Sequence, residues 1–163
     1  MELQPMSASH QAAVLAIYKE GIDTGNATFN TLVPTWNEWD VTHHLHSRIV
    51  AVENDQVIGW VALLPVSSRA CYNGVAEFSI YISESARGKG VGKQLMQRLI
   101  LESEANGIWT LYSSTFQENQ VSIELQKKFG FRIIGSRERI AKLNGVWRTT
   151  IALERRSKKV GMD

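Results

Sequence analysis

Residues 75–93 read Val-Ala-Glu-Phe-Ser-Ile-Tyr-Ile-Ser-Glu-Ser-Ala-Arg-Gly-Lys-Gly-Val-Gly-Lys. From Val75 to Ile82 the residues alternate as a strand does. Ala76, Phe78, Ile80 and Ile82 fall on one face, and Glu77, Ser79 and Tyr81 fall on the other. From Gly90 to Glu104 the period changes: Val91, Leu95, Met96, Leu99 and Ile100 recur at helical spacing. A strand, a glycine-rich turn and a core-facing helix follow one another, the pattern of an α/β protein. Glycines between a strand and a helix let backbone N–H groups approach an anion, and the helix N-terminus adds about half a positive charge. Arg87, Lys89 and Lys93 add full charges, so Arg87, Gly88, Lys89, Gly90, Val91, Gly92 and Lys93 form a candidate pyrophosphate cradle.

Two phosphate motifs fail on spacing. The Walker pattern needs Ser or Thr after Gly92-Lys93 and a glycine where Arg87 stands, but Gln94 follows. The dinucleotide fingerprint needs a third glycine where Lys93 or Leu95 stands.

Toward the N-terminus, Ala13, Val14, Ile17 and Tyr18 predict a helix over His10 to Ile22, capped by Ser9 and broken by Gly21 and Gly25. A shorter helix starts after Pro34, with Thr35 and Glu38 as a capping box and Trp36 and Trp39 on one face. Arg48 to Glu53 and Gln56 to Leu64, joined by Asn54-Asp55, predict an antiparallel hairpin. Toward the C-terminus come a strand over Ile108 to Thr115 and a helix over Asn119 to Phe129 closed by Gly130. Strands over Phe131 to Ser136 and Val146 to Leu153 follow, with a turn at Asn144-Gly145 between them. The expected architecture is α/β (α+β): a mixed, mostly antiparallel sheet of about six to seven strands with helices on both faces.

At 163 residues, with 44% hydrophobic and 21% charged residues, the chain fits one globular domain, expected over 1–154. The basic segment 155–163 is expected to be a solvated tail. The net charge of +2 gives little reason to expect a nucleic-acid partner. No apolar run approaches the ~20 residues of a membrane span. The first residues lack the basic and apolar regions of a signal peptide, and Cys71 has no disulfide partner. These features lead to a cytoplasmic expectation. His43, His44 and His46 lack an evident carboxylate partner for a metal and are assigned to a polar helix face. Trp36, Trp39 and Trp60 are assigned to the core, and Cys71 to a loop.

Glu77 is the only carboxylate inside the strand Val75 to Ile82. On a half-buried polar face its pKa rises, which suits a general base acting directly or through water. The alternative is an ion pair with a basic neighbour such as Arg69.

Arg87-x-x-Gly90-x-Gly92 resembles the acyl-CoA pyrophosphate loop of the GNAT superfamily of N-acetyltransferases, and Asn119-x-x-Ser122 with Phe129-Gly130-Phe131 looks like its second cofactor motif. Asn26-Ala27-Thr28-Phe29, Trp36-Asn37-Glu38-Trp39, Arg69-Ala70-Cys71-Tyr72 and Ala76-Glu77-Phe78-Ser79 resemble the phosphinothricin and methionine sulfoximine N-acetyltransferases, from about Ile17 to Leu153. The resemblance implies acetyl-CoA as co-substrate, no metal, a small-molecule amine acceptor acetylated on its α-amino group, and a homodimer. It implies that Glu77 is the base, that Ile80, Tyr81 and Ile82 meet the pantetheine arm, and that Asn119 touches the cofactor. Thr28, Phe29, Arg69 and Tyr72 are implied to bind the acceptor. Two positions depart from the pattern: Gln126 stands where many members carry a Tyr that serves as general acid for the leaving thiolate, and Thr149 where relatives often carry Asp. Competing readings are a non-catalytic acyl-CoA sensor, and an acetyltransferase acting on a protein N-terminus or a polyamine.

Overall fold

The strand, turn and helix at the centre of the chain form as β4 (Val75–Ile82) and α3 (Val91–Ala105) in a computed structural model that describes all 163 residues. Around them lie β1 (Glu2–Pro5), α1 (Gln11–Asp23), α2 (Trp36–Thr42), β2 (Ile49–Glu53), β3 (Gln56–Pro65), β5 (Thr110–Phe116), α4 (Gln120–Lys128), β6 (Arg132–Leu143) and β7 (Val146–Arg156). The strands make one seven-stranded sheet in the order β1-β2-β3-β4-β5-β7-β6, antiparallel everywhere except between β4 and β5. No helix is long and apolar enough to cross a membrane.

Alternation along the central strands builds a core on each face. Ile49 and Ala51 of β2, Val61 and Leu63 of β3, and Ala76 and Phe78 of β4 pack with Val91, Leu95, Met96 and Leu99 of α3. The intervening residues Val50, Trp60 and Ala62 face Val14, Ile17 and Tyr18 of α1 and Trp39 of α2. Strands covered on both faces need apolar residues at nearly every position, which is why Gln56–Pro65 reads as a continuous apolar run.

Several expectations are corrected. Gly21 does not break α1: it is buried inside the helix, and a Cβ there would overlap the Tyr81 ring. Gly25, at φ 63°, supplies the left-handed residue beyond the helix end. Ser7, not Ser9, opens the N-terminal turn: its carbonyl accepts from the His10 N–H at 3.0 Å, and its own N–H donates to His10 Nδ1 at 3.0 Å. The sequence left β1 unread because it has only four residues; pairing with β2, Leu3 opposite Ala51, gives it its place. β6 extends to Leu143, its alternation interrupted by an irregularity between Arg137 and Ala141 where Arg139 has φ 47°.

β7 likewise runs through Arg155 and Arg156, so the segment from 155 is not a solvated tail. The Glu104 carboxylate at the end of α3 is nearly buried and draws Arg155 Nη1 to 3.0 Å, Ser157 Oγ to 3.0 Å and Lys159 Nζ to 3.7 Å. Arg156 donates to the carbonyls of Trp109 and Val160. A buried carboxylate requires such partners.

Candidate active site

β4 and β5 are in register only at Val75, Ala76 and Glu77; beyond Glu77 the strands part. The Ser83 N–H donates to Ile58 O at 2.9 Å, which fixes the phase of the antiparallel β3–β4 ladder. Alternate residues then bond to β3, so the backbones of Tyr81, Ser79 and Glu77 face β3, whereas those of Phe78, Ile80 and Ile82 face the gap beside β5. Of the three residues expected to meet a pantetheine arm, Ile80 and Ile82 present backbone groups to the gap, and Ile82 O already accepts from Arg87 Nε at 3.3 Å. Tyr81 spends its backbone on β3 and buries its ring between Tyr18, at 4.9 Å between centroids, and Trp60, at 5.0 Å. That burial pushes the phenol pKa far up.

The gap opens into a cavity of about 560 Å³ on the Glu77 face, lined by Glu77, Ser79 and Tyr81 of β4, Ser114 and Phe116 of β5, Asn119, and the segment Ala27 to Asn30. Glu77 points into it half-buried. Burial pushes its carboxyl above the usual range, and the charge of Arg137 partly opposes the rise. The pairing alternative is not realised, because the Arg69 guanidinium lies 5.8 Å over the Tyr72 ring. Arg69 and Tyr72 are exposed on the turn between β3 and β4 and are not among the residues lining the cavity. Thr28 and Phe29 do line it, with Phe29 set edge-on to Phe116 at 4.7 Å.

Glu77 to Ile82 spans about 17 Å of extended chain, and the glycine loop lies at its far end. A short 3-10 turn (Glu84–Ala86) leads to Gly88 at φ 75° and to Gly90, at φ 82°, which caps α3. Nothing lies within 4 Å of a Cβ built on either glycine, so both backbones are open to a ligand. Gly92 serves packing instead, since a Cβ there would sit 3.3 Å from Leu125 of α4. Arg87, Lys89 and Lys93 are exposed, and none forms an ion pair. Open glycines, uncommitted cations and a helix N-terminus are the chemistry a pyrophosphate requires.

Asn119 caps α4, its Oδ1 accepting from Ser122 N at 3.3 Å, while its Nδ2 donates to Asn26 O at 3.3 Å. Gln126 is 1% exposed. Its amide accepts from Ser113 Oγ and donates to Thr115 Oγ1 at 3.0 Å and to Ser122 Oγ at 3.2 Å. It is a structural amide under the cavity, with no proton to give a leaving group.

Residues distant in sequence also shape the cavity. Arg148 donates to Gly25 O at 2.7 Å and to Asn26 Oδ1 at 2.8 Å, fastening the start of the segment whose residues Ala27 to Asn30 line the cavity. No local signal marks that role, which spans 123 residues. The histidines follow α2 rather than lying on it. His43 lines the cavity, stacked 3.9 Å from Trp39, and burial takes its pKa down to about 4. No three ligating side chains converge on a metal position.

The comparisons agree with this geometry. The profile of the Acetyltransferase (GNAT) family matches residues 16–131. YwnH of Bacillus subtilis (strain 168), provisionally named a phosphinothricin acetyltransferase, is 37% identical over 139 residues, covering 82% of this chain and 85% of its own. The L-methionine sulfoximine/L-methionine sulfone acetyltransferase of Pseudomonas aeruginosa is 29% identical over 140 residues, covering 82% and 81%. The crystal structure of a phosphinothricin acetyltransferase from Sinorhizobium meliloti in complex with acetyl-CoA superposes with a TM-score of 0.91 at 26% identity, over 99% of this chain and 91% of that one. With a parted β4–β5 pair, an open glycine turn and a family profile over most of its length, the chain belongs to the GNAT family of acetyltransferases.

Proposed function

We propose that this acetyltransferase uses acetyl-CoA to acetylate the α-amino group of a small amino acid-like amine, with Glu77 as general base. The observation that carries the reading is Glu77 itself: a half-buried, raised carboxyl without a salt-bridge partner, where the β4–β5 gap meets the cavity. The free edge of β4 leads from it to the glycine turn, which supports thioester and pyrophosphate at the two ends of one extended ligand. The Ile80 N–H, directed into the gap, is placed to polarise the thioester carbonyl.

In the reaction the neutral amine nitrogen attacks the carbonyl carbon, Glu77 takes the proton that nitrogen loses, and the C–S bond breaks with the electron pair on sulfur. Gln126 donates nothing to the departing thiolate, which takes its proton from water. Ile80, Ile82, Arg87, Gly88, Lys89 and Gly90 bind the co-substrate in this reading, with Val91, Lys93 and Asn119 beside them. Thr28 and Phe29 bound the acceptor, and Arg69 and Tyr72 stand outside the cavity where an acceptor enters. The fastened 25–30 segment favours a small molecule over a protein N-terminus. A homodimer is part of the proposal, with the exposed Ile133, Ile134 and Ile140 of β6 as its contact surface.

The test is thiol release from acetyl-CoA with a panel of amino acid analogues, polyamines and peptides. Release that depends on an amino acid analogue is expected. Release with peptides alone, or none with any acceptor, contradicts the proposal.

A further inference from the structure

On the β3 side of Glu77 the cavity wall is built by α2 and the residue after it. Leu64 stands directly opposite Glu77 in the β3–β4 register, and Trp39 and His43 line the cavity beside it. This wall is rigid. Thr35 and Glu38 form a reciprocal cap at the start of α2. Arg48 bonds to the Asp40 carboxylate and, at 3.0 Å, to the carbonyls of Asp40 and His43, clamping the helix end.

His43 is held in that frame in one tautomer. Its ring lies 3.9 Å from Trp39 at an interplanar angle of 16°, and its Nδ1 is 2.6 Å from Trp39 O. A carbonyl oxygen only accepts, so Nδ1 carries the proton and Nε2 of the neutral ring keeps a lone pair. No protein group hydrogen-bonds to that nitrogen. The two carboxylates lining the cavity are Glu38 and Glu77, and neither Lys nor Arg lines it. Arg137, whose charge reaches Glu77, belongs to β6, which lies in the sheet on the opposite side of β4 from β3. An acceptor's α-carboxylate is drawn toward that side, which directs its side chain to His43.

Resting on the function proposed above, we infer that His43 is a specificity-determining residue whose Nε2 accepts a hydrogen bond from the acceptor's side chain, so that the preferred acceptor is an amino acid with a neutral side chain ending in an N–H donor, such as a sulfoximine or a carboxamide. An anionic side chain meets a lone pair and two carboxylates and is disfavoured. A group lacking the donor leaves Nε2 unpaired.

Methionine sulfoximine and methionine sulfone test this directly, because they differ by an N–H in place of an oxygen. For the wild-type protein kcat/KM is expected to favour the sulfoximine by roughly tenfold, mainly through KM, the scale of one net hydrogen bond. Phosphinothricin, with its anionic side chain, is expected below both. His43→Phe keeps a flat ring against Trp39 without an acceptor and should bring the ratio to within about twofold. His43→Gln, whose amide oxygen accepts, should restore part of it, as a merely structural role would not. A wild-type ratio near one, or a ratio unchanged in His43→Phe, overturns the inference while leaving the acetyltransferase reading intact. Failure to acetylate any amino acid analogue overturns the functional proposal and this inference with it.

Discussion

Glu77 is positioned by alternation, and burial raises its carboxyl above the usual range. A carboxylate at this point of β4 cannot reach the apolar core on the other face, and on its own face it meets a cavity rather than a partner. Its raised pKa has a sign that can be measured. A carboxyl whose pKa is higher folded than unfolded contributes stability below its unfolded pKa, and that contribution is lost as pH rises through the folded value. Glu77→Gln is therefore expected to raise the melting temperature above the folded pKa, relative to wild type, with the difference vanishing toward acid pH. Equal melting curves at pH 8 would contradict this. Position and partial burial were legible from the sequence because a strand's period is two. The stacking and tautomer of His43 were not, since they depend on where the chain turns after α2. The same limit hid Arg148, whose partners lie on a loop distant in sequence.

The elements divide by how local their signals are. The capping box at Thr35 and Glu38 and the glycine stop at Gly130 are local, and both helix ends lie where the sequence places them. Gly21 misled because a glycine in a helix reads as a break, while its cause is the Tyr81 ring packed against it. Gly21→Ala, which would improve helix propensity on the surface, is expected to cost about 1–3 kcal/mol here by overpacking. A variant as stable as wild type by chemical denaturation would refute that packing account. The glycine turn makes a complementary prediction. Gly90→Val meets no protein atom but places a β-branched residue at φ 82° in front of the proposed anion site. Acetyl-CoA affinity should fall by tenfold or more, since αL costs roughly 1–2 kcal/mol for a residue with a Cβ. An unchanged dissociation constant would remove the turn from the binding site.

Across the whole molecule, the two cores and their shared sheet were largely readable, because both faces of β2 and β3 announce themselves as apolar. The closure of the C-terminal end was not readable. A basic run looks like a solvated tail until the buried acid it serves is known, and Glu104 lies more than fifty residues away. Burial alone would raise the Glu104 carboxyl, but hydrogen bonds from Arg155 and Ser157 and the charges of Arg155 and Lys159 outweigh it and hold the pKa below the usual range. Stability from this group is present above the unfolded pKa and is lost as pH falls through the folded one. Glu104→Gln should therefore destabilise the protein by about 1–3 kcal/mol near pH 7, and the deficit should shrink below about pH 4 in thermal melts. A deficit independent of pH would indicate packing rather than charge.

The central claim is that Glu77 accepts the proton of the attacking amine. The most direct test is the turnover rate of Glu77→Gln at saturating acetyl-CoA with an amino acid analogue, measured by thiol release beside a co-substrate titration. The account predicts a loss of ~10²-fold or more in turnover, with acetyl-CoA affinity close to wild type. Wild-type turnover in the variant would contradict it.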